Sequence, residues 1–158
     1  MKNEIKTKQN EMNAEDAYWH ARNVVKGRVS PELEAVIATN AEYAYHYARW
    51  IIKGRFPEGE AVLATDAEYA YYYAAYVIEG RWPEFEAVIA TSAKHAYCYA
   101  RNFIKGRWPE GEAAIATHYM WAFDYARHVI KGRWPEGEAA IAKDAQWSAL
   151  YQGFLETL

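Results

Sequence analysis

The sequence predicts an all-α fold: an α-solenoid of short-helix/long-helix repeats, about eleven helices in a single domain. Two observations carry this expectation. The tripeptide Lys/Glu-Gly-Arg recurs with its glycine at 27, 54, 80, 106 and 132, in steps of 27, 26, 26 and 26 residues. Between successive tripeptides lie one short apolar segment opened by proline and one longer segment of helical periodicity. After a polar N-terminal extension over 1–12, the helical repeat domain spans 13–158, with units near 13–28, 29–55, 56–81, 82–107, 108–133 and 134–158.

The unit from Phe56 to Arg81 shows the logic of each element. Pro57 stands at the first helical position, where a missing N–H costs nothing. Glu58 and Glu60 lie near the positive end of that helix, and Ala61–Ala64 gives it an apolar side. Thr65-Asp66 breaks it, and Thr65 to Glu68 matches the Ser/Thr-x-x-Glu capping box, as does Thr39 to Glu42. The long helix then runs from about Ala67 to Glu79. Gly80 is expected to end it in the left-handed conformation that glycine accepts cheaply, which would make Gly80→Val and Gly106→Val strained. The end units differ from the rest, as a stack needs in order to stop.

Along the long helix an apolar arc repeats as Ala44, Ala48, Ile51, Ile52, then Ala70, Ala74, Val77, Ile78, then Ala96, Ala100, Phe103, Ile104. These positions share one side and are expected to pack between repeats. Tyr45/Tyr71/Tyr97 and Tyr47/Tyr73/Tyr99/Tyr125 flank the arc, each hydroxyl needing a partner. Trp82, Trp108 and Trp134, before the prolines, are expected to staple one unit to the next. The arginines at 28, 55, 81, 107 and 133 precede glutamates at 34, 60, 86, 112 and 138, so a neutralised ion-pair ladder is expected along that edge.

The opposite side of the long helix changes from unit to unit at three positions spaced three and four apart, which share a face. In chain order these are Asp16, Trp19, Asn23; Tyr43, His46, Trp50; Tyr69, Tyr72, Tyr76; His95, Cys98, Asn102; Trp121, Asp124, His128; and Trp147, Leu150, Phe154. Drift on an exposed surface would supply Lys, Glu, Gln and Ser, yet none occurs in these eighteen positions, while nine are aromatic and three are His. Exposed aromatics cluster where something binds. The competing expectation is burial between adjacent long helices. The candidate binding residues are Tyr43, His46, Trp50, Tyr69, Tyr72, Tyr76, His95, Asn102, Trp121, Asp124 and His128.

Chemistry beyond binding finds little support. His95/Cys98 and Asp124/His128 are each one turn apart, but the spacing lacks the paired ligand motifs of a zinc site, and no metal or cofactor is expected. A Cys-His nucleophile would need an oxyanion hole, and no such motif accompanies it. The repeated glycine follows a helix, the reverse of a phosphate loop. Net charge is −3, from 18 basic and 21 acidic residues, against binding nucleic acid through bulk positive charge. The polar N-terminus and the lack of a long apolar run predict a soluble, cytoplasmic protein without a membrane span.

The string Tyr-Ala-x-x-Val-Ile-Lys-Gly-Arg-Trp-Pro-Glu, at Tyr125–Glu136, resembles short two-helix repeats in uncharacterised proteins of phages and bacteria. The resemblance covers about Ala14 to Ala145. It implies a phage or mobile-element setting and action on a host factor, with no activity or site residues attached. The functional expectation is therefore a non-enzymatic binding module for a protein or peptide. A nucleotide-like small molecule is the first alternative, and RNA or single strands along the Lys-Gly-Arg edge the second. Trp147, Leu150 and Phe154 at the last unit would suit a homodimer contact.

Overall fold

The computed structural model describes residues 12–158, and among them all regular structure is helical. All but the last residue of the N-terminal extension lie outside the described residues. The chain forms two compact units, Met1–Trp82 and Pro83–Leu158. The first holds α1 (Ala14–His20), α2 (Pro31–Ile37), α3 (Ala41–Tyr47), α4 (Pro57–Leu63) and α5 (Ala67–Tyr73). The second holds α6 (Pro83–Ile89), α7 (Ala93–Tyr99), α8 (Pro109–Ile115), α9 (Tyr119–Tyr125), α10 (Pro135–Ile141) and α11 (Ala145–Leu155). Each unit is the expected repeat of short and long helices. Within each unit neighbouring long helices pack together, and α2, α4, α8 and α10 each cover the long helix before them. No helix among the described residues is long and apolar enough to cross a membrane.

Every long helix but the last widens into a π-helical turn, at Ala21–Val25, Ala48–Ile52, Ala74–Ile78, Ala100–Ile104 and Ala126–Ile130. The residue that reverses the chain after each turn is not the glycine. Lys26, Lys53, Glu79, Lys105 and Lys131 have φ between 56° and 58°, and no glycine has a positive φ. This corrects the expectation for Gly80 and its equivalents. The N–H of Lys53 closes the turn on the Ala48 carbonyl, and the Gly54 N–H reaches the same oxygen at 3.2 Å. A Cβ on Gly54 or Gly106 would meet nothing within 4 Å, so the strain expected of Gly106→Val is absent.

The helix starts also shift by one residue. The N-cap of α5 is Asp66, not Thr65: its carboxylate accepts the Glu68 and Tyr69 N–H groups at 2.9 and 3.0 Å. Asn40 and Asp144 cap α3 and α11 in the same way. Thr65 instead donates its hydroxyl to the Val62 carbonyl at 2.7 Å, closing the preceding helix, and Thr39 does so to Val36. The Asx side chain takes the cap because it sits at the residue with extended backbone.

The core is built by Ile37, Leu63, Ile89, Ile115 and Ile141 from the short helices, against the alanine pairs Ala44/Ala48, Ala70/Ala74, Ala96/Ala100 and Ala122/Ala126 of the long ones. Ile51, Ile52, Val77, Ile78, Phe103 and Ile104, expected in the same arc, are only half-buried. A π turn advances each residue by a smaller angle than an α turn, so side chains beyond Ala48 drift off the arc.

Each connection is locked twice. The aromatic before the proline folds back on a tyrosine of the preceding long helix: Phe56 on Tyr47 at 5.1 Å, Trp82 on Tyr73 at 5.3 Å, Trp108 on Tyr99 at 5.1 Å and Trp134 on Tyr125 at 4.8 Å. Phe56, Trp108 and Trp134 occupy the space where Gly59, Gly111 and Gly137 lack a side chain. A Cβ on Gly111 would stand 2.6 Å from the Trp108 ring and 3.1 Å from Ala96. The first repeat solves the same problem inversely, with Val29 for the aromatic and a buried Leu33 for the glycine.

The second lock is polar. Arg55 donates through Nε and Nη2 to both oxygens of Glu60 at 2.9 and 2.8 Å. The Tyr73 hydroxyl donates to Glu60 Oε1 at 3.1 Å and accepts the Phe56 N–H at 2.7 Å. Arg28–Glu34–Tyr47–Val29 N–H, Arg107–Glu112–Tyr125–Trp108 N–H and Arg133–Glu138–Tyr151–Trp134 N–H repeat it. The expected ion-pair ladder is therefore present. Hydrogen bonds from Arg28, Arg107 and Arg133 hold the Glu34, Glu112 and Glu138 carboxyls below the usual range, against the opposing effect of burial. Burial pushes the Tyr47 hydroxyl up to about 12.

Three outcomes follow. Gly111→Ala should destabilise by roughly 1–3 kcal/mol in thermal or denaturant melts, because neither the Trp108 ring nor Ala96 can give way freely. Lys105→Gly should be more stable than Lys105→Ala by about 1 kcal/mol, the reverse of helix preference, because both lose the charge and only alanine meets the left-handed strain. Glutamates with lowered folded-state pKa contribute stability above their unfolded value, about 4.3, and lose it as pH falls through the folded value. Melting temperature should thus fall as pH drops below about 4.5, and Glu112→Gln should flatten that fall.

Candidate functional site

The variable face of the long helices is laid over a row of buried aromatics contributed by the preceding repeat. In the first unit, Tyr43 and His46 pack on Tyr18 at 5.8 and 6.0 Å, and Tyr69 and Tyr72 pack on Tyr45 at 6.1 and 5.8 Å. The second unit repeats the scheme: Trp121 stacks on Tyr97 at 5.7 Å, and Trp147 and Phe154 pack on Phe123 at 5.4 and 6.4 Å. In the triplets Tyr43/His46/Trp50 and Tyr69/Tyr72/Tyr76 the first and second positions are thus tied to packing, whereas the third is open. Trp50 is 51% exposed and Tyr76 is 50% exposed, and Asn102 and His128 are exposed as well.

One part of this face is a cleft. Tyr45, His46, Arg49, Tyr69, Tyr72 and Tyr76 enclose about 400 Å³ in the first unit. Arg49 forms one wall: its guanidinium lies 4.1 Å from the Tyr76 ring centre and 4.6 Å from that of Trp50, and Nη1 donates to the Tyr45 hydroxyl at 2.7 Å. Tyr72 meets Tyr76 at 6.1 Å, and its hydroxyl donates to Glu68 at 2.8 Å. That hydrogen bond pushes the Tyr72 hydroxyl up to about 12. Burial pushes His46 down, so its ring is neutral near pH 7 and offers the cleft both a donor and an acceptor.

Of the residues expected to bind, Tyr43, His46, Trp50, Tyr69, Tyr72 and Tyr76 come together on the first unit. His95, expected on the open face, is buried at 6% exposure with Nδ1 3.0 Å from the Ser92 hydroxyl; it is a packing residue, which corrects that assignment. Trp121 is half-buried against Tyr97. Asp124 and His128 pair at 3.9 Å; burial raises the Asp124 carboxyl and lowers the His128 ring. Tyr45 and Arg49 belong to the cleft, although the sequence placed Tyr45 in packing and did not single out Arg49 for binding. They lie four residues apart, one turn on the same face, and that spacing was the available signal.

Other chemistry gains nothing. Burial raises the Cys98 thiol and keeps it protonated, the wrong state for a nucleophile or metal ligand. No group of three or more metal-ligating side chains exists among the described residues. At the C-terminus, Trp147 and Phe154 rest on Phe123, which leaves Leu150 as the exposed member of that triplet. No protein-family model, curated protein or solved structure matches this chain.

Proposed function

We propose that this chain is a non-enzymatic binding module that holds a protein or peptide segment on the aromatic face of its long helices, with the cleft of the first unit as anchor. The observation that supports this is the Tyr45/His46/Arg49/Tyr69/Tyr72/Tyr76 cleft with half-exposed Tyr76 in its wall and half-exposed Trp50 beside it. Tyr, Trp and Arg are the side chains that anchor protein interfaces, since they combine large apolar area with polar tips. The cleft is open along the helix face, which suits an extended segment better than an enclosed small molecule. Its tyrosine hydroxyls and the neutral His46 supply hydrogen bonds for a backbone or polar side chain.

The partner, in this reading, is a host protein met in the cytoplasm. The resemblance of Tyr125–Glu136 to phage and bacterial repeats supports that setting.

The test is quantitative capture from host lysate by the parent and by a Trp50→Ala/Tyr76→Ala variant, with melts on both. Each truncated anchor should weaken capture by roughly thirtyfold, about 2 kcal/mol. Stability should drop by only about 1 kcal/mol, mostly from unstacking Arg49. Equal capture by both proteins would remove the aromatic face from the reading.

A further inference from the structure

We propose that the cleft between the first two repeats, formed by Arg22, Lys26, Trp50 and Lys53, binds the phosphate groups of a small di- or triphosphate ligand. This inference is independent of peptide binding, although Trp50 borders both sites.

The cleft encloses about 460 Å³ and is lined by Arg22, Lys26, Gly27, Trp50, Ile51 and Lys53, with no acidic side chain among the described residues. The Tyr18 hydroxyl at 2.9 Å and the Trp19 ring at 5.3 Å orient Arg22, whose remaining N–H groups can donate to a ligand. Lys26 and Lys53 have no ion-pair partner among the described residues, in contrast to the arginines at 28, 55, 107 and 133, which are bidentate to glutamate. Three uncompensated cations around one concavity attract an anion strongly. A single phosphate carries about −1.5 to −2 charges near pH 7, so three cations suit a di- or triphosphate better.

The second unit builds the same cleft from equivalent positions. Arg101, Lys105 and Lys131, with His128 in the place of Trp50, line about 290 Å³. Here Asp124 acts electrostatically on Arg101 and His128, so an anion is held more weakly. The next junction of the first unit departs from the pattern: it keeps Arg49 and Lys53, but Glu79 stands where Lys53 and Lys131 stand.

Two features separate a ligand site from helix-end electrostatics. Cations near a helix C-terminus are favourable in themselves. Yet Glu79 occupies the same position, at φ 58°, with the opposite charge, so the turn does not require a cation. Moreover, Lys26 and Lys53 hold a left-handed conformation that glycine would hold more cheaply, at φ 56° and 57°. Glu79 holds the same conformation, so what sets Lys26 and Lys53 apart is their place beside Arg22 in the cleft.

The test titrates sodium pyrophosphate into the full chain at ionic strength fixed with sodium chloride and follows backbone amide resonances. Saturable shifts are expected at Gly27 and Lys53, with weaker ones at Gly106 and Lys131. Lys53→Gly removes a cation while relieving the backbone, so it should fold as well as the parent, weaken the first cleft tenfold or more, and leave the second unchanged. ADP should quench Trp50 fluorescence where pyrophosphate does not, if the ligand is a nucleotide; equal behaviour of the two assigns the site to the phosphates alone. Shifts that spread over all basic residues and do not saturate mean an adventitious ion only and overturn the proposal. Unchanged pyrophosphate affinity in Lys53→Gly overturns it as well, as does a single-stranded oligonucleotide that binds both clefts far more tightly than ADP.

Discussion

The interaction on which everything else rests is the four-part staple of arginine, glutamate, tyrosine and backbone N–H at each turn of the repeat. Tyr73 shows why. Its ring is buried against Trp82, and its hydroxyl must find partners inside that apolar site. It accepts the Phe56 N–H, which would otherwise be an orphan at the entry to α4, and donates to Glu60. Glu60 can accept only because Arg55 neutralises it from the solvent side. Each member satisfies a need created by another, so the chain after Arg55 has one direction in which to leave the turn. The position of α4, and hence of the next long helix, follows from that direction.

Given that geometry, the glycine three residues on, Gly59, becomes a requirement of space rather than of conformation. The staple brings Phe56 over the start of α4, and Ala44 closes the other side. Leu33 is acceptable where Val29 replaces the aromatic, whereas at the third connection Trp82 and Phe85 are both large and both buried, so that site is packed differently. The glycines of the Lys/Glu-Gly-Arg tripeptides are of another kind. No neighbour crowds Gly54, Gly106 or Gly132, and the structure gives no steric reason for them.

The period, the helix pairing, the proline starts and the arginine–glutamate ladder were all legible in the sequence, because each depends on residues a few positions apart. The errors were of one residue, and each has a local cause. Glycine after lysine reads as a left-handed helix end, but the reversal falls on Lys53, at the end of a π turn. Thr65 to Glu68 reads as a capping box, but Asp66 is a stronger cap one residue later. The widened turn also moved Ile51 and Ile52 out of the core. In the candidate site, the aromatic triplets were visible but their division was not. Only the fold shows that Tyr18, Tyr45, Tyr97 and Phe123 form a floor beneath the first and second triplet positions.

That division decides how the variation along the chain should be read. At the first position a floor of buried rings favours Tyr43, Tyr69, Trp121 and Trp147, and packing alone accounts for them. At the third position Phe154 rests on Phe123, but Asn102 and His128 are exposed, so a small or polar residue is accepted there. Trp50 and Tyr76 therefore call for a separate cause. Stacking on Arg49 is one candidate, since both rings touch its guanidinium. Yet Arg101 stands beside Asn102, and its hydrogen bond to Tyr97 at 2.9 Å matches that of Arg49 to Tyr45. The arginine is thus held by the tyrosine beneath it and does not need an aromatic neighbour. Large apolar rings left half in water, at positions where the fold accepts asparagine, are the surface that the proposed partner would cover.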